Sequence, residues 1–332
     1  MSHPPIQPAK TTGNALLLIL FGCVGLVVGF GTLVHLAHGF AAQGETPIWF
    51  WFAVALIWLA AWILVGRLST FPANDDFAGR LIETSVPLIF GATILFLWEV
   101  ITVGAGVPKV LLPAPSDIGS RFASSLPILE ADFVQTVLRA VVPGWMVGSL
   151  SGFLIALVCD RVPFLARGLI PIGNFISALP MIGVAPIMVM WFGFDWQSKV
   201  AIVVIMTFFP ALVNSIAGLQ ASGELERDLM RSYGAGFTPT FWKLRLPSAM
   251  PFLFNALKIN STLAMIGAIV AEFFGTPIVG MGFRISTEVG RSDLDMVWAE
   301  IALAAVTGSL FYGLLVLAER SVTFWHPSYR GR

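Results

Sequence analysis

Residues 224–247 read ELERDLMRSYGAGFTPTFWKLRLP and stand between two apolar runs, 199–219 and 250–274. An α-helix needs about 20 mostly apolar residues to cross a bilayer, and each run is long enough. The segment between them gathers charged, aromatic, glycine and proline residues, which is typical of a loop. This stretch therefore predicts two membrane helices joined by a long structured loop.

The composition of the whole chain favours the bilayer as its solvent. Of the 332 residues, 57% are hydrophobic and 11% are charged, whereas soluble domains have about 45–50% and about 25%. The 19 basic and 19 acidic residues cancel, which argues against a nucleic-acid partner. Two cysteines, Cys23 and Cys159, form neither a disulfide framework nor a zinc site.

Apolar runs of spanning length recur along the chain, and one of them is interrupted by proline. They cover residues 14–37, 46–66, 86–105, 137–159, 168–192, 199–219, 250–274 and 297–319. Because these runs are continuous rather than alternating, helices are favoured over a β-barrel. Run 168–192 is the weakest, since Pro171, Pro180 and Pro186 interrupt it. The sequence predicts about eight membrane helices.

The N-terminal part of the chain carries two of these runs. The stretch from Ala15 to about Ala37 exceeds the about 7–15 apolar residues of a signal peptide, so we expect a retained membrane helix. Residues 67–85 are polar and indicate a linker before the other six runs. Further on, Ser116 follows a proline-rich stretch and is placed to cap a short helix.

Lysine and arginine predict the orientation of the chain. With the N-terminus in the cytoplasm, twelve basic residues fall on the cytoplasmic side and six on the other, with Lys258 inside a run. We therefore expect both termini in the cytoplasm. Segment 224–247 then faces the cytoplasm as well.

The first half of segment 224–247 predicts an amphipathic helix. Leu225, Leu229 and Tyr233 recur every four residues and form an apolar stripe. Asp228 and Arg231 are three residues apart and can form an ion pair. Glycines at positions 234 and 236 then end the helix.

The second half of the segment predicts another short helix. Thr238 is expected to cap it, with Pro239 in the favoured first position, and Pro247 is expected to stop it before the next run. Two interpretations of the resulting helix–turn–helix fit these residues. It is an interfacial amphipathic element, or it is a docking lever for a cytosolic partner.

The spacing within the segment carries a resemblance to a known family. Asp228-Leu229-Met230, three residues, Gly234, nine residues, Leu244, one residue and Leu246-Pro247 resemble the EAA loop of ATP-binding-cassette importer permeases. The chain departs from that pattern in its first triplet, which is Glu-Ala-Ala in the family, and in Leu244, which replaces an isoleucine.

Four more stretches resemble the nitrate, sulfonate and taurine branch of these permeases. They read LLPAPSD (111–117), ALPMIGVAPIMVMWFGF (178–194), IVAEFFGTPIVGMGF (269–283) and LAERSVTFWHP (317–327). The resemblance covers residues 86–327. It implies an all-α integral membrane fold, with a six-helix type I importer core and two extra N-terminal helices.

The resemblance also implies a domain layout, partners and a location. The extra helices occupy residues 1–80, the permease core 81–327 with its coupling loop at 221–249, and a cytoplasmic tail 328–332. Implied partners are a cytoplasmic ATPase dimer, a second permease copy in a homodimer or heterodimer, and a periplasmic or lipid-anchored binding protein. The implied location is the bacterial cytoplasmic membrane.

In the family, the EAA loop fits a groove on the ATPase. The residues expected to couple here are Asp228, Arg231, Gly234, Ala235, Phe237, Phe241, Leu244 and Pro247. Arg231, Lys243 and Arg245 are candidates for pairing with acidic groups on the ATPase, or for keeping the loop inside. The chain has no phosphate-binding GxxxxGK[ST] motif and no Gly-Lys pair. We therefore expect no enzyme activity and no cofactor in this chain, with ATP and magnesium on the partner.

Polar residues inside the runs are candidates for a substrate path, because they are costly in lipid and usually face a cavity or another helix. The candidates are Asn174, Ser177, Pro180, Asn214, Asn260 and Glu272. For each Ser or Asn taken alone, a hydrogen bond between helices is the favoured role. Glu272 is expected to gate or orient the glycine-rich loop after it, or to make a structural ion pair or hydrogen bond.

Other polar side chains of the runs receive structural interpretations. Glu99 is expected to make a helix-packing contact, and Lys258 to extend toward the headgroups. His35 and His38 are three apart, which allows either a metal pair or interfacial packing. Two rival functions remain: a secondary transporter driven by an ion gradient, and a membrane enzyme, which the lack of clustered catalytic residues disfavours.

The sequence does not select the substrate. The resemblance implies a small solute delivered by an external binding protein. Sulfonates, taurine and nitrate are carried within the branch, and pyrimidine or riboflavin-type vitamin precursors are carried by close relatives.

Overall fold

The computed structural model describes residues 10–70, 77–177, 179–275 and 278–325. Within these ranges the regular structure is entirely helical. The expected C-terminal tail, 328–332, lies outside the described residues. The all-helical fold class is confirmed.

Two compact units divide between Ser120 and Arg121. The helices of the first unit are α1 (Lys10–Gln43), α2 (Ile48–Ser69) and α3 (Phe77–Gly104), and the short α4 (Pro115–Ser124) crosses the division. α3 packs along both α1 and α2. Phe30 of α1 stacks on Phe96 of α3 with ring centroids 4.2 Å apart.

A buried carboxylate organises the end of the first unit. Glu99 accepts hydrogen bonds from the Ser116 backbone N–H at 2.9 Å and from the Ser116 hydroxyl at 2.6 Å. His38 Nε2 lies 2.9 Å from the same carboxylate. The packing role expected for Glu99 is confirmed. The predicted N-cap at Ser116 is wrong, because α4 begins one residue earlier and Glu99 binds the first turn instead.

In the second unit, short helices alternate with long ones. They are α5 (Leu126–Phe133), α6 (Val142–Arg161), α7 (Pro163–Ser177), α8 (Met181–Phe192), α9 (Trp196–Gln220), α10 (Glu224–Ser232), α11 (Phe237–Thr240), α12 (Leu246–Glu272), α13 (Met281–Arg291) and α14 (Leu294–Val322). π-helical turns at Val134–Val141 and Phe241–Arg245 join α5 to α6 and α11 to α12.

Within the described ranges, seven helical stretches are long and apolar enough to cross a membrane. They are Ile19–Gln43, Ile48–Ser69, Gly79–Gly104, Leu126–Arg161, Trp196–Gln220, Phe237–Glu272 and Leu294–Val322. The remaining predicted run, 168–192, is not one span. It falls on the two short helices α7 and α8, and Pro180 precedes α8 in an extended conformation. Proline cannot continue the hydrogen bonding of a helix, which explains the break.

The core of the second unit lies where α9 packs against α6 and α12. Small residues allow the backbones to approach closely, as is common between membrane helices. A Cβ atom added at Gly148 would lie 2.0 Å from Thr207 Oγ1, and one added at Gly152 would lie 2.5 Å from the Phe208 carbonyl oxygen. These two glycines set the separation between α6 and α9.

Candidate functional site

The helix α10 ends in a tight turn at Gly234, as the sequence predicts. Gly234 has a φ of +68°, a left-handed conformation that glycine adopts without a Cβ penalty. Its N–H donates to the Arg231 carbonyl, and the Ala235 N–H donates to the Met230 carbonyl, both at 2.9 Å. This pair of bonds is a Schellman motif. The predicted ion pair of Asp228 and Arg231 also forms, with a separation of 3.0 Å.

The second half of the segment differs from the prediction in two respects. α11 begins at Phe237 after the extended Gly236, so Thr238 lies inside the helix and does not cap it. Pro247 does not stop the helix either, because α11 runs through the π-helical turn into α12. A proline ring clashes with the carbonyl four residues earlier, here that of Lys243. That carbonyl lies in the wider π turn, so the helix continues.

The apolar stripe of α10 faces away from the rest of the chain. The exposed fractions of Leu225, Leu229 and Tyr233 are 83%, 57% and 82%. None of the residues of α10 is buried. Trp242, in the π-helical turn after α11, is 62% exposed. An apolar patch rimmed by charged residues indicates an interaction site.

Of the remaining coupling candidates, Ala235, Phe241, Leu244 and Pro247 are half-buried, while Gly234 and Phe237 are exposed. The Phe237 and Phe241 rings stack with centroids 6.1 Å apart. The Arg161 guanidinium lies 4.3 Å from the centroid of the Phe237 ring, a cation–π contact. These rings border a cavity of about 510 Å³ whose other wall is formed by residues 157–162.

Arginine side chains fix both ends of the segment to the membrane helices. Arg245 makes two bonds to Asp160, of 2.7 and 2.5 Å, and two to the Leu219 carbonyl, of 3.2 and 3.0 Å. Arg227 donates to the Ser222 hydroxyl at 2.8 Å and to the carbonyl of Gln220, the last residue of α9, at 3.0 Å. Arg245, expected to pair with a partner or to orient the loop, therefore pairs within the chain. No sequence pattern pointed to this partner, because Asp160 is 85 residues away.

The polar candidates within the spans bind helices to one another. The Asn260 amide donates to the Ser149 hydroxyl and the Thr207 carbonyl, both at 2.8 Å. Asn214 donates to the Pro210 carbonyl at 2.8 Å and accepts a bond of 3.2 Å from Asn255. These contacts tie α12 to α6 and α9.

The remaining path candidates lie on the broken run. Pro180 is exposed at the start of α8. Asn174 and Ser177 belong to α7, but their side chains lie outside the described part of the structure.

Lys258 does not extend to the headgroups. Its ammonium lies 2.7 Å from a carboxylate oxygen of Glu319 on α14, and both side chains are largely buried. Because Glu319 lies 61 residues away, the pattern of α12 alone could not predict this pairing.

Glu272 ends α12 and holds the start of α13. Its side chain is buried and accepts bonds from the Thr136 hydroxyl at 2.9 Å and from the Gly282 N–H at 2.8 Å. Asp132 accepts from the Gly280 N–H at 2.6 Å and from Arg284 Nε at 2.9 Å. The carboxylates thus bind N–H groups that a helix start leaves without intrahelical partners. Glu272 makes the hydrogen bond to the loop that the sequence suggested.

The fit of the glycines at this contact is close. Gly280 has a φ of +135°, and a Cβ atom there would lie 2.7 Å from the Glu272 carboxyl carbon. A Cβ atom at Gly282 would lie 2.1 Å from the Ile269 carbonyl oxygen. The chain can reach the end of α12 only because both residues lack a side chain.

Comparison with known proteins gives a family match over more than half of the chain. The family model described as "binding-protein-dependent transport system inner membrane component" matches residues 133–325. This range contains the segment 224–247 and the contact of Glu272 with α13.

Characterised relatives are similar over most of their own length. The formylaminopyrimidine transport permease protein ThiX of Halalkalibacterium halodurans is 29% identical over 246 residues, which are 74% of this chain and 98% of the relative. The putative aliphatic sulfonates transport permease protein SsuC of Bacillus subtilis is 27% identical, over 74% of this chain and 88% of the relative. The taurine transport system permease protein TauC of Escherichia coli is 23% identical, over 71% and 87%.

Proposed function

The chain belongs to the family of binding-protein-dependent transport system inner membrane components, and on that premise we propose that it is driven by a separate ATPase that docks on α10 and α11. It is a multi-pass membrane protein and a transport permease. Its relatives are permeases of ATP-binding-cassette systems. What we propose beyond this family membership is where the ATPase docks and how its motion is coupled to transport.

The observation that carries the proposal is the exposed apolar stripe of α10 beside a glycine turn. Leu225 and Tyr233 are more than four-fifths exposed on a helix without a buried residue. Such a stripe can be covered by lipid or by a protein. The spacing from Asp228 to Pro247 favours a protein, because it follows the family's ATPase-docking loop.

The contacts around the segment suit the transmission of force. Arg245 joins the segment to Asp160 at the end of α6 and to the Leu219 carbonyl near the end of α9. The π-helical turn makes α11 continuous with α12. A displacement of α11 by the ATPase is therefore passed to the three helices that form the core of the second unit.

The rest of the assembly follows from the same proposal. Two permease copies and two ATPases bind an external binding protein, and ATP and magnesium are held by the ATPases alone. The chain lies in the bacterial cytoplasmic membrane with both termini inside. Residues 1–80 are an addition to the permease core of 81–327. The solute is a small molecule of the sulfonate or taurine class, or a pyrimidine or riboflavin-type precursor, as the relatives' names suggest. Nitrate is included because of the sequence resemblance alone.

The substrate path that we propose uses the broken run. Pro180 separates α7 from α8, and irregular backbone at membrane depth is tolerated where it lines a cavity. Asn174, Ser177 and Pro180 contribute to this path, with Glu272 at its outer end. Asn260 and Asn214 border it through the helix contacts that they make.

The test is transport by the complete assembly in proteoliposomes. Uptake of labelled taurine and formylaminopyrimidine is measured with ATP present, with a proton gradient alone, and with an ATPase subunit that cannot hydrolyse ATP. We expect uptake only with ATP and an active ATPase. Uptake driven by the proton gradient without ATP would instead identify a secondary transporter.

A further inference from the structure

The carboxyl group of Glu300 is buried, and no described residue donates a hydrogen bond to it. It lies in the second turn of α14, and its exposed fraction is 0%. Neither of its oxygens has a hydrogen-bond partner among the described residues. An ionised carboxylate can only accept hydrogen bonds, so it would be costly at such a site.

The charged groups around Glu300 are already engaged with one another. Arg284 of α13 donates to Asp132 of α5. Glu272 of α12 is bound by Thr136 and by the Gly282 N–H. Two other charged residues border this region. They are Glu288, which pairs with Arg291, and Lys199 of α9, which donates to the Phe194 and Asp195 carbonyls.

The Asp132 carboxyl is on α5, which packs against α14, and it neighbours Glu300. It is also fully buried. Two carboxylates in contact repel each other, whereas a carboxylic acid donates its proton to a carboxylate. Close pairs of buried carboxyl groups therefore hold one proton between them.

We propose that Glu300 and Asp132 form a buried proton-binding site, in which the Glu300 acid donates to the Asp132 carboxylate. The charges of the surrounding side chains favour the binding of one proton at this site. With one proton bound, Asp132, Glu272 and Glu300 carry two negative charges, which Arg284 and Lys199 balance. Without it, one negative charge is left inside the protein.

A metal ion is a poorer occupant of the same place. Within the described part of the chain, His, Cys, Asp and Glu side chains do not group in threes with a metal-binding arrangement. Arg284 already places a cation against Asp132 at 2.9 Å. A proton satisfies both carboxyl groups without displacing that contact.

The bound proton stabilises the outer end of the second unit. Asp132 also accepts the Gly280 N–H at the start of α13. The shared proton therefore links α14 and α5 at the point where α13 is anchored. Loss of the proton would introduce repulsion between α14 and α5 and loosen this contact.

The test is infrared spectroscopy of the purified chain in lipid nanodiscs at neutral pH. A protonated carboxyl group has a carbonyl stretch distinct from that of a carboxylate, and the stretch shifts in heavy water. We expect a band of this kind in the wild type and its loss in Glu300→Gln. The matched control is Glu319→Gln on the same helix, because the Glu319 carboxylate is paired with the Lys258 ammonium.

A second measurement separates a proton site from damage to the fold. The amide of Glu300→Gln replaces the acid in shape and can still donate to Asp132. The thermal midpoint of this variant should match that of the wild type at neutral pH and should fall less than the wild-type midpoint as the pH rises. The wild-type midpoint should fall at alkaline pH. A wild type without the band, or a band that survives in Glu300→Gln, would overturn the proposal, as would stabilisation by sodium ions in place of protons.

Discussion

The ion pair of Arg245 and Asp160 should stabilise the base of segment 224–247 strongly. We consider Asp160→Asn, which removes the charge and nearly conserves the shape. The pair is bidentate, and the exposed fractions of its side chains are 13% and 11%. Such geometry makes this pair strong. The substitution leaves the Arg245 charge unpaired beside the Leu219 carbonyl.

The magnitude follows from the burial and from the bonds that survive. Breaking a buried pair by removing one partner costs about 3–5 kcal/mol. Arg245 keeps its two bonds to the Leu219 carbonyl and some access to water. We therefore expect a loss of about 2–3 kcal/mol in the free energy of unfolding, at or below the lower end of that range.

The assay is a double-mutant cycle on the purified chain in detergent. Unfolding is followed for the wild type, Asp160→Asn, Arg245→Met and the double variant. The matched control is the exposed pair of Asp228 and Arg231, whose side chains are 68% and 79% exposed. Its coupling energy should stay below about 1 kcal/mol. A coupling energy for Asp160 and Arg245 as small as that of the control would refute the reasoning.

Three further perturbations test other contacts of the fold. Gly282→Ala should lower the free energy of unfolding by about 1–3 kcal/mol, because its Cβ would meet the Ile269 backbone. Gly290→Ala, in open space on the same helix, should be neutral or stabilising by up to about 1 kcal/mol in the same unfolding assay. Lys258→Met should lower the free energy of unfolding by about 3–5 kcal/mol, because it leaves Glu319 unpaired. Adding Glu319→Leu to Lys258→Met should recover most of that loss. No recovery would contradict the claim that the loss comes from the unpaired Glu319 side chain. Glu99→Gln should weaken the anchoring of α4 by about 1–3 kcal/mol, measured as faster amide exchange at Ser116.

The sequence predicted the features that depend on local composition. Spanning length and hydropathy identify seven of the eight runs as membrane helices, and the residues of α10 carry their own helix and turn signals. Gly234 could be placed because a left-handed helix end strongly favours glycine. The pairing of Asp228 with Arg231 could be predicted because both residues lie on one helix.

Features that depend on distant residues could not be predicted in this way. Asp132 and Arg284 are 152 residues apart, and only the packing of α5 against α13 brings them together. The effect of Pro247 was missed because a π-helical turn accommodates the ring, and no residue pattern marks that turn. The break of run 168–192 is an intermediate case. Its three prolines are visible in the sequence, but Pro171 and Pro186 lie inside helices and only Pro180 lies at the break.

Binding of the ATPase subunit to Gly234 variants tests the central proposal most directly. Apart from its two chain neighbours, no described residue has an atom within 4 Å of a Cβ built at Gly234, so a side chain there starts in open space. Alanine and arginine share the strain of the left-handed backbone, about 1–2 kcal/mol, but only arginine adds bulk and charge to the surface. Comparing the two variants therefore separates backbone strain from obstruction of a partner.

The measurement is the amount of ATPase subunit that co-purifies with equal amounts of membrane-inserted permease. We expect the wild type and Gly234→Ala to retain the ATPase, and Gly234→Arg to lose it and to lose ATP-driven uptake while still inserting in the membrane. A Gly234→Arg permease that binds the ATPase and transports normally would contradict docking at this turn.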